Sequence, residues 1–427
     1  MKSIVYLAIK FLQYLPYRSI PNFAFDSRKL GFFSPSIHLN EFVDSEVLGF
    51  WGQVKYLDTE FRSDATWFLV PFKPPGSTHK ALAKTISRIQ TNSKFYVFPI
   101  AGLYNLTLFR LACVNVFKVH FLITSRILKS VVSNDKSNLL TILGQDDLGF
   151  SIARAELNKC LIEKTLNCNP GIQFLFHLME GQSWEIALVD HASKLNKKTI
   201  GVIHLPFRQQ DTQILNYFLC DGQIPIATKM FKILCVSENC YSSLKLLGCS
   251  DSQVELVEAQ RFMPVTSLGQ HSYSSKSKSV LYVADANLAN LDAFYQLTRT
   301  FLAKEVLSDY DFFVQFHPAA VPKTLSFLRP WDSKKNGIWG LVIFGPETST
   351  YLQPQFAESN VRFLSLNHSH TRILNNGQPL IPAISSYDEI RESIQNPFVP
   401  NQNGKLMIDT NPRFVNWRKV INEILES

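Results

Sequence analysis

The sequence predicts an α/β protein built from two Rossmann-like domains that face a central cleft. Short apolar runs alternate with helical segments along most of the chain, which is typical of doubly wound parallel sheets. With 427 residues, the chain is too long for one ordinary hydrophobic core. A polar, Ser-rich stretch at 263–279 interrupts the alternation, which then restarts, so we expect the linker between the domains there.

The linker divides the chain into an N-terminal Rossmann-like domain at 1–262 and a C-terminal Rossmann-like domain at 280–405. A last helix lies within 406–427, and we expect it to pack back on the N-terminal domain. In two such domains, ligands bind in the cleft outside the carboxyl ends of the strands. Residues that follow predicted strands are therefore the first candidates for a site.

Apolar runs and helical segments give the elements in chain order. The first part of the N-terminal domain has predicted strands at 66–71, 95–100 and 118–124, and helices at 81–90 and 148–161. The second part has predicted strands at 174–178, 199–203, 232–236 and 253–257, and helices at 184–195 and 240–247. Later elements are predicted strands at 280–284, 311–316, 340–344 and 361–366, and helices at 291–306 and 412–425.

Composition narrows the function classes. The chain is 46% hydrophobic, which argues against disorder, and its net charge of +8 suits nucleic acid, an anionic membrane surface or phosphorylated small molecules. Because the basic residues are dispersed and no zinc-finger or RNP-type pattern occurs, we expect no nucleic-acid partner. An odd number of cysteines without a CxxC pair disfavours a disulfide framework and structural zinc, and favours a reducing compartment.

The apolar N-terminus is interrupted by Lys10 and Gln13 and lacks a signal-peptide cleavage pattern. We expect it to form a buried first strand or helix. The alternative is an interfacial segment at a membrane, because Lys2, Lys10 and Arg18 flank aromatic side chains.

Two residues that follow strands of the N-terminal domain are candidates for chemistry. Glu180 precedes Gly181, and its carboxylate either takes a proton from a hydroxyl group or caps the next helix. His204 either binds a phosphate or hydroxyl group or has a structural role. Trp184 and Glu185 fall in the first turn of the helix, where we expect Trp184 in the core and Glu185 favourable to the helix dipole.

In the C-terminal domain, His317 and Pro318 end a predicted strand, and the proline directs the imidazole into the cleft, where it can stabilise a leaving phosphate. Arg261 follows a predicted strand at the domain junction, where it either clamps a carboxylate or phosphate or is a surface arginine. A further loop carries hydroxyl side chains that either cradle phosphate oxygens or supply a helix N-cap, namely Thr348, Ser349 and Thr350.

Several common site patterns are absent from the sequence, including Walker A, GxGxxG, HExxH and GxSxG. Their absence removes P-loop nucleotide hydrolysis, dinucleotide redox chemistry and zincin or serine-hydrolase chemistry as leading functions. We expect no metal site.

The order of the elements resembles bacterial surface-carbohydrate biosynthesis glycosyltransferases of the GT-B type. It is most similar to the group thought to transfer nonulosonic acids or Kdo, over roughly residues 170–370. Gln260 and Phe262 depart from the pattern of that group, which has Leu and Tyr there. The matched patterns are E-(N/G)-Q-x-W-E at 180–185, K-T-I-G-x-x-H at 198–204, E-A-L-R-Y at 258–262, H-P at 317–318 and T-S-x at 348–350.

The resemblance implies a cytoplasmic enzyme of surface-polysaccharide biosynthesis, working at the inner membrane. It implies that a nonulosonic acid-type sugar passes from a CMP-activated donor in the C-terminal domain to a glycan or lipid-linked glycan acceptor in the N-terminal domain. The displacement is metal-independent and uses no cofactor.

The resemblance also implies a role for each candidate residue. Glu180 is the base and His317 stabilises the leaving phosphate, and these two are the catalytic residues. The nucleotide sugar is bound by Arg261, Pro318, Thr348, Ser349 and Thr350. The acceptor side of the cleft is formed by Gln182, Trp184, Glu185 and His204.

Two alternatives stay open. One is a GT-B-like transferase with another donor, such as a CDP-polyol or a UDP-sugar, at nearly the same site. The other is a non-catalytic binding protein on a degenerate transferase fold, which the departures at Gln260 and Phe262 keep in consideration.

Overall fold

The structure is a computed structural model of the whole chain. It describes residues 2–20, 28–35, 51, 65–72, 77–92, 96–132, 148–204, 217–218, 225–259, 271–285, 288–303, 310–317, 328–332, 335–346, 356, 358–365, 374–375, 378–379, 381–399 and 413–426.

The N-terminal domain contains a seven-stranded sheet in which every pairing is parallel. Its spatial order is β3-β2-β1-β4-β5-β6-β7, so the first six strands follow the Rossmann order. The strands are β1 (Leu30–Pro35), β2 (Ala65–Val70), β3 (Tyr96–Pro99), β4 (Phe174–Leu178), β5 (Lys198–Ile203), β6 (Lys232–Cys235) and β7 (Val254–Leu256). The helices described with them are α1 (Lys2–Gln13), α2 (His79–Asn92), α3 (Leu106–Val132), α4 (Leu148–Cys168), α5 (Ser183–Lys194) and α6 (Glu238–Leu246).

The C-terminal domain repeats this order. Its strands are β8 (His271–Tyr273), β9 (Ser279–Val283), β10 (Asp311–Gln315), β11 (Leu328–Pro330), β12 (Gly337–Trp339), β13 (Leu341–Phe344), β14 (Val361–Leu364), β15 (Leu374–Asn375), β16 (Gln378–Pro379) and β17 (Ala383–Ile384). Six of them form a parallel sheet in the order β11-β10-β9-β13-β14-β17, flanked by α7 (Leu288–Ala303) and α8 (Tyr387–Gln395). The strand β8 pairs with β12, and β15 pairs with β16.

Aromatic side chains hold the centre of the first sheet together. Phe32 on β1 stacks on Trp67 of β2 and on Phe176 of β4, with ring centroids 4.4 Å apart in both pairs. These residues are register partners across the three strands. Each such pair adds about 0.5–1.5 kcal/mol beyond simple burial, so the stack stabilises the pairing of β1 with β4.

The last helix, α9 (Val415–Glu426), packs on the N-terminal domain, where a buried carboxylate binds its first turn. Glu258 follows β7 and is fully buried, and its oxygens accept hydrogen bonds from the backbone amides of Asn416 and Trp417 at 2.9 and 3.1 Å. The indole of Trp417 donates to the Glu258 carbonyl at 2.9 Å. A carboxylate at a helix N-terminus compensates its free amides and its dipole.

The predicted elements after Phe174 agree with the structure to within a few residues, whereas one earlier prediction is wrong. Residues 118–124 were expected to form a strand and instead lie inside α3. Their apolar run is continuous with Leu108, Ala112 and Val116, which are buried at helical spacing. Part of the predicted linker, 271–273, is the strand β8, and the domain boundaries otherwise stay predictions.

Candidate functional site

The strand order locates the edge of each sheet where a ligand would bind. In an open parallel sheet, ligands bind outside the carboxyl ends of the strands where the order reverses. That point lies between β1 and β4 in the N-terminal sheet and between β9 and β13 in the C-terminal sheet. Glu180 follows the end of β4, so it lies at the edge that the topology selects. Gly181 has a φ of 73°, which glycine adopts without strain and which turns the chain into α5.

Glu180 and His204 are close together because β4 and β5 are neighbours. The amide of Met179 donates to the carbonyl of Val202 at 2.9 Å, which continues the strand pairing up to the loop. His204 Nε2 lies 3.5 Å from Glu180 Oε1, and the side chains are 3% and 27% exposed respectively. The carboxylate is therefore accessible from solvent, while the imidazole lies beneath it.

A second carboxylate, Glu185, holds the loop that carries Glu180. Its Oε2 accepts hydrogen bonds from the amides of Glu180 at 2.9 Å and Gln182 at 3.0 Å, and from the hydroxyl of Tyr217 at 2.5 Å. Glu185 is fully buried, and this burial raises its pKa to about 8. The backbone position of Glu180 thus depends on a buried acid five residues along the chain.

His177 extends this buried polar cluster beneath the loop. Its Nδ1 donates to the carbonyl of Leu178 at 2.8 Å, and its ring stacks on Tyr217 with centroids 6.4 Å apart. Burial lowers the pKa of His177 to about 4, so the imidazole is neutral at neutral pH. Sequence reasoning missed both His177 and Tyr217. His177 lies inside an apolar strand, and no local pattern connects Tyr217 with Glu185.

The predicted acceptor residues separate into two groups. Gln182 is half-buried and lies beside Glu180 at the start of α5. Trp184 and Glu185 are buried, so neither side chain lines a solvent-facing cleft: Trp184 is in the core and Glu185 positions the loop.

The corresponding edge of the C-terminal sheet brings Gly345 and Asp285 together. Gly345 follows β13, and a Cβ atom on it would lie 2.9 Å from both the amide nitrogen and Oδ2 of Asp285. Asp285 follows β9, is buried, and accepts a hydrogen bond from Asn290 Nδ2 at 2.8 Å. Sequence reasoning missed Asp285, although an acid directly after an apolar run is the signal that identified Glu180.

His317 lies half-buried after β10, two residues beyond its last residue, Gln315. The structure therefore places this candidate at the carboxyl edge of the C-terminal sheet, as the sequence predicts. The other predicted nucleotide-sugar residues lie outside the described residues, and they are Arg261, Pro318, Thr348, Ser349 and Thr350.

Within the described residues, no group of three or more His, Cys, Asp or Glu side chains could hold a metal ion. Two surface cavities, of about 670 and 710 Å³, are lined by neither Glu180 nor His204. The first lies beside α5 near Asp190, and the second beside α2 near Lys84. We assign the candidate site to the strand edge because the topology and the ionisable pair coincide there.

No protein-family model matches the chain, and no curated protein sequence matches it. The chain is similar in structure to a protein from Listeria monocytogenes assigned as a UDP-N-acetylglucosamine 2-epimerase. The TM-score is 0.51 at 7% identity, over 94% of this chain and 97% of the other. The chain has a GT-B fold. The strand order of its two sheets agrees with this assignment and confirms the predicted pair of Rossmann-like domains.

Two further solved structures cover similar shares of the chain. The UDP-GlcNAc 2-epimerase from Neisseria meningitidis bound to UDP-GlcNAc has a TM-score of 0.48 at 9% identity, over 94% of this chain and 100% of the other. Anabaena Alr3699/HepE in complex with UDP-glucose has a TM-score of 0.43 at 9% identity, over 93% of this chain and 99% of the other.

Proposed function

We propose that the chain is a GT-B-type glycosyltransferase that acts on a nucleotide-activated sugar, with Glu180 as the base for the acceptor hydroxyl. The observation that carries this proposal is the position of Glu180, a solvent-accessible carboxylate at the reversal point of a Rossmann sheet, 3.5 Å from a buried imidazole. A base must come within hydrogen-bond reach of the proton it removes, and an accessible carboxylate at this edge meets that requirement.

His204 and Glu185 serve the proposed base as positioning residues. His204 is buried and meets Glu180 through Nε2, so it orients the carboxylate rather than touching an acceptor. Glu185 accepts hydrogen bonds from the amides on both sides of Gly181, and these bonds hold the backbone of the loop that carries Glu180. A base held in this way loses little freedom when the acceptor binds.

The C-terminal edge is proposed to bind the nucleotide. Gly345 and Asp285 follow the two strands at the reversal point of this sheet and pack closely against each other, and ligands of such sheets bind outside this edge. His317 is proposed to stabilise the leaving phosphate from the neighbouring strand end. The phosphate-binding roles of Arg261, Pro318 and the hydroxyl loop remain part of the proposal.

Among donor classes, a UDP-sugar is better supported than a CMP-activated nonulosonic acid. The assignment of a CMP-activated donor rests only on the sequence pattern at 180–185 and the other matched patterns, at 198–204, 258–262, 317–318 and 348–350. The Listeria protein is assigned as an epimerase of a UDP-sugar, and it is similar to this chain over almost the full length of both. We further propose a glycan or lipid-linked glycan acceptor, a cytoplasmic location and a reaction that needs neither metal nor cofactor.

The test begins with nucleotide binding. Thermal unfolding is measured with UDP, CDP and CMP, because a ligand that binds only the folded state adds about 2.7 kcal/mol at 100 times its Kd. We expect UDP to raise the Tm most. A rise with CMP alone would restore the nonulosonic acid donor, and no rise with any nucleotide would contradict an enzyme of this class.

The second step separates transfer from epimerisation. The UDP-sugars that bind are incubated with and without glycan acceptors, and the products are analysed by mass spectrometry and NMR. The proposal expects UDP release that depends on the acceptor. A change of sugar configuration without an acceptor would make the chain an epimerase and would overturn the transferase proposal.

A further inference from the structure

The strongest unexplained surface of the molecule is formed by α1 and α3. Among the residues that the structure describes, most of the exposed large apolar side chains lie on these helices, on the turn after α1 or at the start of α4. On α3, Phe117 and Phe121 are 65% and 75% exposed. Isolated exposed apolar residues need no explanation, but a group of this size marks an interaction surface. We refer to this group as the α1–α3 surface, and it comprises Val5, Ile9, Leu12, Leu15, Leu106, Leu111, Val114, Phe117, Phe121 and Leu122.

The two helices are held together as one unit. Ser3 Oγ and His120 Nε2 are 2.9 Å apart, and the ring of Phe11 on α1 lies 5.7 Å from that of Phe109 on α3. Each helix has one buried side, and the residues at helical spacing on the opposite side form the exposed surface, such as Val5, Ile9 and Leu12.

All charges on these helices have one sign. Neither α1 nor α3 contains an Asp or a Glu. Lys2 on α1, and Arg110 and Lys118 on α3, are exposed next to the apolar side chains. A surface of exposed Phe, Leu and Val, whose only charges on α1 and α3 are positive, is complementary to anionic lipid headgroups above acyl chains.

We infer that the α1–α3 surface docks the protein on an anionic membrane leaflet, with Phe117 and Phe121 inserted and the cations at the headgroups. A second copy of the chain fits this surface less well. A two-fold interface presents the same patch from both subunits, so Arg110 and Lys118 of both copies would lie in one interface to which α1 and α3 contribute no acidic residue.

The geometry also favours lying on the bilayer over crossing it. Within the described residues, the segment Leu106–Ser125 is long and apolar enough to span a membrane. However, Ala112 and Val116 are buried in the domain core, and Lys118 would lie deep in the hydrocarbon. One face of α3 therefore belongs to the protein, and only the other face is available to lipid.

The inference is tested by vesicle flotation of the full chain, and it does not depend on the proposed enzymatic activity. Vesicles of phosphatidylcholine alone are compared with vesicles that also contain phosphatidylglycerol, at low and high salt. We expect the protein to bind the anionic vesicles, with affinity that falls as salt rises. The double variant Arg110→Gln/Lys118→Gln should lower this binding by about 25-fold, at about fivefold per cation.

The double variant Phe117→Ser/Phe121→Ser should lower binding by at least about tenfold, because each ring contributes transfer energy from water. The matched control, Leu246→Ser/Ile338→Ser, changes exposed apolar residues elsewhere and should bind as the wild type does. Circular dichroism and thermal unfolding confirm that each variant is folded, and nucleotide-induced Tm shifts should be unchanged.

Four results would overturn the inference. The wild type could fail to bind either vesicle, or the control could lose as much binding as the α3 variants. Alternatively, light scattering could show a dimer that Phe117→Ser/Phe121→Ser dissociates, which would assign the α1–α3 surface to a second copy. Resistance to alkaline extraction from membranes would instead indicate that α3 spans the bilayer, and would also refute surface docking.

Discussion

The two sheets have the same strand order, yet they arrange their carboxyl edges differently. The N-terminal edge carries a solvent-accessible carboxylate, Glu180, above a buried polar cluster that includes His204 and Glu185. At the C-terminal edge the backbone itself approaches closely, with Gly345 packed against Asp285. The same topology therefore carries an accessible ionisable side chain at one edge and closely packed loop backbone at the other.

A glycine follows the switch-point strand in both domains, but the physical reason differs. Gly181 is required for its backbone conformation, since its φ of 73° is costly for residues with a Cβ. Gly345 is required for space, since a Cβ would lie 2.9 Å from the Asp285 amide nitrogen. Substitutions of these two glycines should therefore destabilise the fold for different reasons.

The largest expected effect comes from removing the proposed base. Glu180→Gln keeps the shape of the side chain but cannot take a proton, so kcat for transfer should fall by about 10²–10⁴-fold. The nucleotide-induced Tm shift should not change, because the nucleotide is proposed to bind at the other edge. Steady-state kinetics with the donor that the binding panel identifies is the measurement.

Asp190→Asn is the matched control for this variant. Asp190 lies on α5 and is exposed to a similar extent, 31% against 27% for Glu180. It forms ion pairs with Lys194 and Lys229 instead of contacting the loop after β4. Full activity in Glu180→Gln would contradict the assignment of Glu180 as the base. An equal loss of kcat in Asp190→Asn would show a general effect of charge.

The next effect distinguishes the two glycines. Gly345→Ala should destabilise the fold by about 1–3 kcal/mol, because the neighbouring Asp285 backbone cannot move aside easily. Gly181→Ala should cost about 1–2 kcal/mol through backbone strain alone. Urea unfolding measures both changes.

Asparagine should destabilise the fold less than alanine at position 181 and more than alanine at position 345. Asn tolerates the left-handed region, so Gly181→Asn should be milder than Gly181→Ala. The larger side chain makes Gly345→Asn more destabilising than Gly345→Ala. If Asn and Ala ranked the same way at both glycines, the distinction between conformation and space would be lost.

Local signals explain which parts of the fold could be predicted from the sequence. The unit β4-α5-β5 was predicted almost to the residue, because apolar runs, Gly181 and the acidic first helical turn all lie within it. The position of Glu180 after β4 was predicted from the same local signals. The helix α3 was partly mistaken for a strand, since its aromatic and β-branched residues have strand propensity and its burial pattern depends on α1 and α4.

Contacts between residues that are far apart in the chain could not be predicted from the sequence. The hydrogen bond from Tyr217 to Glu185 joins positions 32 residues apart, and Glu258 holds α9 from 158 residues away. No periodicity or spacing reports such pairs. Glu185 was therefore assigned to the acceptor cleft, whereas the fold buries it under the loop.

The buried acid gives the N-terminal edge a pH dependence. Burial raises the pKa of Glu185 from 4.5 to about 8, so between these values the folded state holds a proton that the unfolded state has lost. Stability should therefore fall as pH rises through this window, by about 1 kcal/mol per pH unit. Glu185→Gln cannot titrate, and its stability should be flatter with pH.

The measurement is urea unfolding between about pH 6.5 and 8. Below this range His177 acts in the opposite direction, because burial lowers its pKa from 6.5 to about 4 and stability is lost as pH falls between those values. Identical slopes for the wild type and Glu185→Gln above pH 6.5 would show that Glu185 is ionised in the folded protein.

The smallest expected effect comes from Tyr217→Phe, which removes one hydrogen bond to Glu185 and keeps the ring against His177. The loss should be about 0.5–1.5 kcal/mol of stability. The hydroxyl stabilises the charged carboxylate, so its removal should also raise the pKa of Glu185 and shift the fall in stability to higher pH. A shift to lower pH would mean that the hydroxyl stabilises the protonated acid instead of the carboxylate.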